Sequence, residues 1–337
     1  MRRPRLGFVG VGWIGRHRLE AVRDAGGAAI AAIADPARER REAALALAPD
    51  AAACEHLGQL LELPLDGVVI ATPSALHAEQ CRAALARGMA VFCQKPLARS
   101  EAETRGVVDA ARAADRLLGV DLSYRHTAAM KRIRELAWGG ELGRLYAIDL
   151  VFHNAYGPDA PWFYDRAAAG GGCVMDLGVH LVDLALWLLG FPEVTAATSR
   201  LYAGGEPLGP DDPRVEDFAT AQLELAGGAV VRLACSWRAA MGRDAVIEAA
   251  VIGSAGGAAM RNVRGSFYDF AAERYAGTRA EPLAEPPDAW GGRAVLEWVR
   301  GLAAGGRFDP AAEELVAVAR ALDRVYGAHR PAGGEAA

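Results

Sequence analysis

Along the first third of the chain, short continuous apolar runs alternate with amphipathic stretches of helical period. The runs Leu6 to Val9, Ala29 to Ala34, Gly67 to Ala71, Met89 to Cys93 and Leu117 to Asp121 are each four to six residues long. Uninterrupted apolar runs of that length suit strands buried on both faces, and their alternation with helices predicts crossover units that build a parallel sheet. The helical stretches carry their own punctuation. Gly26 and Gly88 stand where a C-terminal cap needs a positive φ, and Ser100 with Glu103 makes a capping box that opens a helix running through Ala114.

After Asp121 the pattern changes. A helix is predicted from about Ala128 to Trp138, ended by Gly139 and Gly140, and a strand from Leu145 to Phe152. A glycine run and a long apolar helix come next. From Val194 onward period-two alternation dominates, with hairpins at Gly227-Gly228, pairing Thr220 to Leu225 with Ala229 to Trp237, and at Gly256-Gly257. These imply a mostly antiparallel sheet. The segments 204–213 and 281–287 read as surface connections, and Pro310 to Tyr326 as a final amphipathic helix. The expectation is an α/β dinucleotide-type domain over 1–121 and an α+β domain over 122–337, whose last helix packs back on the first domain.

A length of 337 residues accommodates two cores. With 52% hydrophobic and 23% charged residues, a net charge of -5 and a pI near 5.9, the chain offers no basic field for nucleic acid or anionic lipid. A small molecule is the expected ligand. Five cysteines without C-x-x-C spacing read as thiols in a reducing, cytoplasmic compartment. Arg2-Arg3 is followed at once by a glycine-broken run, unlike an export signal, and no stretch is expected to approach the ~20 apolar residues that span a bilayer.

The sharpest motif is Gly10-Val11-Gly12-Trp13-Ile14-Gly15, directly after the first strand and at the start of the first helix. Glycines there let backbone approach a pyrophosphate, whose charge is met by helix N-terminal amides. Asp35 closes the second strand twenty residues after Gly15, where a carboxylate can accept from an adenosine ribose and repel a 2′-phosphate. NAD is therefore the expected cofactor, with NADP open because Arg38 and Arg40 follow; Asp35 can equally cap a helix beginning at Pro36. The segments Ala71-Thr72-Pro73-Ser74-Ala75-Leu76-His77 and Gln94-Lys95-Pro96 leave the carboxyl ends of strands, where ligands bind in such sheets. Thr72, Pro73, His77, Gln94 and Lys95 are cofactor-side candidates. Lys95 can place an ammonium beside a substrate hydroxyl, or be simply a solvated lysine.

The second constellation is Gly170-Gly171-Gly172-Cys173-Val174-Met175-Asp176-Leu177-Gly178-Val179-His180-Leu181-Val182-Asp183. Asp176, His180 and Asp183 fall at i, i+4 and i+7, so one helical face carries a carboxylate able to orient an imidazole that exchanges a proton near neutral pH. The alternative is an N-cap aspartate and a core histidine. No further histidine or cysteine lies at metal-ligand spacing, so no metal is expected. Tyr124, Arg125, His153, Tyr156, Trp162, Tyr164, Trp237, Arg238 and Arg243 are polar or aromatic residues near element ends that can line a substrate site or pack a core.

With these four motifs in order over nearly its whole length, the chain resembles the Gfo/Idh/MocA family of sugar and inositol oxidoreductases. The resemblance implies a Rossmann domain followed by an open-faced sheet domain that pairs in dimers or tetramers. It also implies a catalytic group at Lys95, Asp176 and His180. One departure stands out: the family's usual Glu-Lys-Pro is here Gln94-Lys95-Pro96, and Ser74 replaces a common asparagine. The implied chemistry is hydride exchange between a nicotinamide and a CH-OH carbon of a sugar, sugar derivative or cyclitol. Two other readings remain open, an enzyme that keeps and recycles a bound NAD, and a non-catalytic dinucleotide-binding sensor.

Overall fold

The computed structural model describes residues 3–210 and 212–327, which form two compact units, 3–123 with 291–316 and 124–290 with 317–327. In the first unit, strands β1 (Arg5–Val9), β2 (Ala29–Ala34), β3 (Ala52–Cys54), β4 (Gly67–Ile70), β5 (Ala90–Cys93) and β6 (Leu118–Val120) form one parallel sheet in the order β3-β2-β1-β4-β5-β6. Five of these strands coincide with the predicted runs. The addition is β3, whose Ala-Ala-Cys has neither the length nor the β-branched side chains that mark a strand in sequence.

Helices cover both faces of this sheet: α1 (Trp13–Ala25), α2 (Arg38–Leu45), the single turn α3 (Leu57–Leu60), α4 (Ser74–Ala86) and α5 (Glu101–Ala114). Val91, Cys93, Ile70, Cys81, Leu85, Val107 and Val108 fill one core, and Leu6, Phe8, Leu19, Val22, Ile33, Val69 and Phe92 the other. The predicted caps form, Gly26 at φ 64 and Gly88 at φ 73. Ser100 Oγ accepts from Glu103 N–H at 3.2 Å, but the Glu103 carboxylate returns to Arg99 N–H rather than to Ser100. A helix from the far end of the chain, the ninth in order (Arg293–Ala303), seals the second core with Trp298, 5.8 Å from Phe92. A Cβ on Gly67 or on Gly119 would lie 2.8 Å from that indole, so these two strand glycines make its room.

The second unit is a nine-stranded mixed sheet. Its strands are β7 (Leu145–Asn154), β8 (Val194–Ala203), β9 (Glu206–Pro207), β10 (Phe218–Leu225), β11 (Val230–Ser236), β12 (Ala245–Gly253), β13 (Gly257–Asn262), β14 (Phe270–Ala276) and β15 (Arg279–Ala284), in the order β15-β14-β13-β12-β7-β11-β10-β8-β9. Neighbours are antiparallel except β7 and β11, which run parallel. The segments read as plain loops over 204–213 and 281–287 each contribute pairing residues, β9 and the end of β15. One face of the sheet buries Ile148, Leu150, Phe152, Leu223, Leu233 and Ile247. Against it pack α6 (Ala128–Trp138) and α8 (Val179–Leu189), with the single turn α7 (Arg166–Ala169) before them in the chain. The other face is polar, with Asp149 and Arg232 paired at 2.6 Å across the parallel strands. The stretch Arg166–Leu189 is long and apolar enough to cross a membrane, contrary to expectation, but 89% of its apolar window is buried as the unit's core helix. A last helix, α10 (Glu313–Tyr326), follows the Arg293–Ala303 helix, which is α9.

Candidate active site

In the first unit, the glycine turn lies where the sheet order reverses, between β1 and β4. Gly10 has φ 78, and a Cβ there would come 2.6 Å from the Ala71 carbonyl. A Cβ on Gly15 would come 2.0 Å from the Gly10 carbonyl, so the turn closes this tightly only with glycine at both positions. A Cβ on Gly12, the N-cap of α1, would instead meet nothing nearer than Arg40 Nη1 at 3.9 Å. No side chain caps α1 and its first turn holds no acid. Trp13 is 63% exposed beside His17, and Ile14 follows it in that first turn. An uncapped helix end behind a turn stripped of side chains is what an anionic pyrophosphate needs, so these residues fit a dinucleotide.

Asp35 is buried at the end of β2, with Oδ2 accepting from Val11 N–H and Oδ1 from Ala37 N–H, both at 2.9 Å. It thus ties the glycine turn to the β2 turn. The helix that follows begins at Arg38 with Ala37 as N-cap, so the expected helix start at Pro36 is corrected by two residues. Arg38 pairs on the surface with Glu42 at 2.6 Å, whereas Arg40 is the arginine that reaches toward Gly12.

His77 is buried with both ring nitrogens on backbone carbonyls, Nδ1 2.7 Å from Pro96 O and Nε2 2.8 Å from Thr72 O. It binds the Thr72-Pro73 turn to the Lys95-Pro96 turn. Burial pushes its pKa down, against the two carbonyls that pull it up. Thr72 Oγ1 donates to Gln80, and Pro73 is the N-cap of α4. Gln94, immediately before Lys95, donates to the Asp121 carboxylate, which also receives Arg18 Nε at 2.5 Å. Lys95 and Pro96 are joined by a cis peptide bond.

In the second unit, the glycine run leads into a turn of π-helix at Val174–Gly178, which continues directly as α8. Asp176 lies within this π turn and His180 one residue into α8; such bulges recur at functional sites. Asp176 accepts from Trp237 Nε1 at 3.1 Å. His180 is buried against the edge of Tyr124, ring centroids 4.8 Å apart, with Phe152 at 6.3 Å. Burial and the Asp176 charge both push the Tyr124 hydroxyl far above its ordinary pKa, keeping it a neutral donor. Tyr164 meets Trp237 edge-on at 5.5 Å, Trp162 stacks on Phe163, and Arg238, at φ 61, lies over the Tyr164 ring. Asp176, His180, Tyr124, Trp237, Tyr164 and Arg238 are therefore neighbours within one unit.

Three sequence expectations are corrected. Asp183 is held by a cation: its carboxylate is forked by Arg125, Nε at 2.8 and 3.0 Å. Burial pushes that carboxyl up against the pull of Arg125. Arg125 itself, expected on the substrate, is thereby occupied and also lies over the Phe191 ring. His153 alternates with Phe152 along β7 and so points to the opposite, polar face of the sheet, where Nδ1 is 2.7 Å from Ser236 Oγ and the ring stacks on Phe218. Among the described residues, no group of three or more His, Cys, Asp or Glu is placed to hold a metal ion.

Sequence reasoning missed Glu216. One of its oxygens, Oε1, accepts from Gly172 N–H at 2.9 Å, Val174 N–H at 3.0 Å and Tyr326 Oη at 2.6 Å. This explains the glycine run: a Cβ on Gly171 would lie 2.0 Å from Tyr326 Oη, and one on Gly172 2.0 Å from the Glu216 carbonyl. Nothing local around position 216 signals this; the only sequence trace is the run of glycines that makes way for it.

Residues 4–122 match the family described as the oxidoreductase family with an NAD-binding Rossmann fold, and residues 130–259 match the GFO/IDH/MocA C-terminal domain. The chain belongs to the Gfo/Idh/MocA family. It is an NAD(P)-dependent oxidoreductase. Among Gfo/Idh/MocA relatives, a putative UDP-kanosamine synthase oxidoreductase subunit of Amycolatopsis mediterranei is 35% identical over 277 residues, 76% of this chain and 75% of that one. Inositol 2-dehydrogenase of Streptomyces avermitilis is 31% identical over 301 residues, 87% and 82% of the two chains. Of solved family structures, GenD2 from gentamicin A biosynthesis in complex with NAD superposes with a TM-score of 0.82 at 25% identity, over 98% of this chain and 95% of that one. Levoglucosan dehydrogenase with NADH and L-sorbose superposes with a TM-score of 0.83 at 23% identity, over 98% and 97%, a likeness of fold.

Proposed function

We propose that this protein oxidises a secondary hydroxyl of a sugar, sugar derivative or cyclitol, or reduces the matching ketone, with NAD as the exchanging cofactor. The observation that carries the reading is the grouping of Asp176, His180, Tyr124 and Trp237 at one π-helical turn, in a chain whose other unit holds an uncapped glycine turn and Lys95. Relatives named for kanosamine, inositol, glucoside and levoglucosan chemistry support the polyol class. Asp35, buried at the end of β2, favours NAD, because a second anion there meets an existing charge.

Bound nicotinamide supplies the hydride acceptor. In this reading His180 takes the hydroxyl proton as the C–H bond gives up its hydride, and returns it when the reaction runs backward. Lys95 steadies the developing alkoxide. Asp176, held by the Trp237 indole N–H, accepts from a neighbouring substrate hydroxyl, and the aromatic faces of Tyr164 and Trp162 suit the apolar faces of a sugar ring. Five buried cysteines, none in a disulfide, support a reducing cytoplasmic site of action. The polar open face, with Thr198, Arg200, Thr220, Gln222 and the Asp149–Arg232 pair, supports a homodimer or homotetramer formed by a second copy of the chain.

The test is reduction of NAD and of NADP, followed at the nicotinamide absorbance, across sugars, nucleotide sugars and inositols. Turnover that falls at least 100-fold in Lys95→Ala and in His180→Ala, with NADH binding retained, supports the assignment. Full activity in both variants overturns it. Silence in a protein that purifies with its cofactor bound favours the recycling enzyme.

A further inference from the structure

Four buried polar side chains in the first unit form a network that the mechanism above does not use: Arg18 on α1, Gln94 at the end of β5, and Asp121 and Ser123 just after β6. Asp121 is its centre. Its Oδ2 accepts from both Arg18 Nε and Gln94 Nε2, and its Oδ1 from Ser123 Oγ, while Arg18 Nη2 reaches Ser123 Oγ at 3.2 Å. The backbone locks the same strand ends together, Gln94 N–H to Ile70 O and Asp121 N–H to Cys93 O, both at 2.9 Å. One end of the network is three residues beyond Gly15 on the uncapped helix, and the other is the residue that precedes Lys95.

The charge count decides what residue 94 must be. Asp121 has a side-chain exposure of 0% and Arg18 of 9%, so one carboxylate neutralises one guanidinium away from water. Because Arg18 and Gln94 donate to the same oxygen, a Glu at position 94 would face Asp121 with a second anion and leave one carboxylate without a counter-charge. An amide supplies the donor that Asp121 requires. Gln94 and the acid at 121 thus complement each other across adjacent parallel strands.

We propose that Asp121 is a positioning residue of the reaction site, supplying the single negative charge of the Arg18–Gln94–Ser123 network. Through Arg18 and Gln94 it holds the cofactor helix and the Lys95 turn in fixed register. This rests on the polyol dehydrogenase reading for its catalytic consequence, but not for its effect on cofactor binding.

The test is a charge-exchange cycle of Gln94→Glu, Asp121→Asn and the double variant, in the full-length protein. It is read by NADH fluorescence titration, by kcat and KM for the best polyol, and by circular dichroism for folding. Each single variant is expected to bind NADH at least fivefold more weakly and to lose at least tenfold in kcat. The double variant, which keeps one carboxylate, one amide and Arg18, should return within about threefold of the parent on both. A folded double variant no better than its worse single parent overturns the proposal, as do single variants indistinguishable from the parent. If a single variant fails to fold, a folded double variant with near-parental NADH affinity supports the exchange and a folded double variant without it refutes it. Recovery of NADH affinity in a protein that turns over no polyol would uphold the network and sink the dehydrogenase reading instead.

Discussion

Removing the Glu216 carboxylate should loosen the turn that carries Asp176, and the size of the effect follows from its three donors. In Glu216→Ala, the Gly172 and Val174 amides and the Tyr326 hydroxyl lose their common acceptor. Each buried donor left unsatisfied costs ~1–3 kcal/mol, and relief of the burial that pushes this carboxyl's pKa up offsets part of the sum, leaving a net loss of about 4 kcal/mol. For a unit of this size that is about 8–16 °C in melting temperature. Glu216→Gln retains an oxygen for the same donors and should cost less than about 1 kcal/mol below the unfolded pKa, where both side chains are neutral. Because the native pKa lies above the unfolded one, the ionisation penalty is absent below the unfolded pKa. It grows as pH rises through the native pKa and is full above it, so wild type should lose ground to the Gln variant as pH rises through that window. Urea unfolding of the three proteins across that range measures this, and initial rates should show kcat falling in the Ala variant while KM for NAD, set by the other unit, holds. An Ala variant within 1 kcal/mol of wild type, or a Gln variant whose relative stability falls with pH, would refute the reasoning.

Three further outcomes follow from named contacts. Gly15→Ala places a methyl 2.0 Å from the Gly10 carbonyl, so NADH affinity should drop at least tenfold while the second unit's unfolding is unchanged; unaltered affinity by fluorescence titration would show that the turn gives way. Arg125→Leu leaves the buried Asp183 carboxylate without its guanidinium and should destabilise by ~3–5 kcal/mol in urea unfolding, with less than 1 kcal/mol counting against a forked ion pair. Trp237→Phe removes the indole N–H from Asp176, together with one of the two rings, and should lower kcat/KM for the polyol by at least about tenfold, roughly the 1.4 kcal/mol of one good hydrogen bond. Unchanged kcat/KM would mean that Asp176 needs no such partner.

The first unit was legible because its signals are local. Five of its strands are continuous apolar runs between capped helices, and the glycine turn and Asp35 are set by backbone conformation within a few residues. The second unit's hairpins were equally plain at Gly227-Gly228, where both glycines have positive φ. His153 shows a limit that the strand period itself could have removed: with Phe152 on the core face, its neighbour must point away.

What local pattern alone determined, then, is the sequence of elements and the dinucleotide turn, since propensity, period and turn chemistry act over a few residues; the shortlist of Lys95, Asp176 and His180 came from the family resemblance. What only the tertiary structure decided is which partner each polar group meets. Arg125 reaches Asp183 across 58 residues, Glu216 reaches Gly172 across 44, and Gln94 reaches Asp121 across 27. The π turn that carries Asp176, and the two strand glycines that admit Trp298, belong with them. A buried charge or donor must be matched by whatever the fold brings within 3 Å, and that distance has no trace in local sequence.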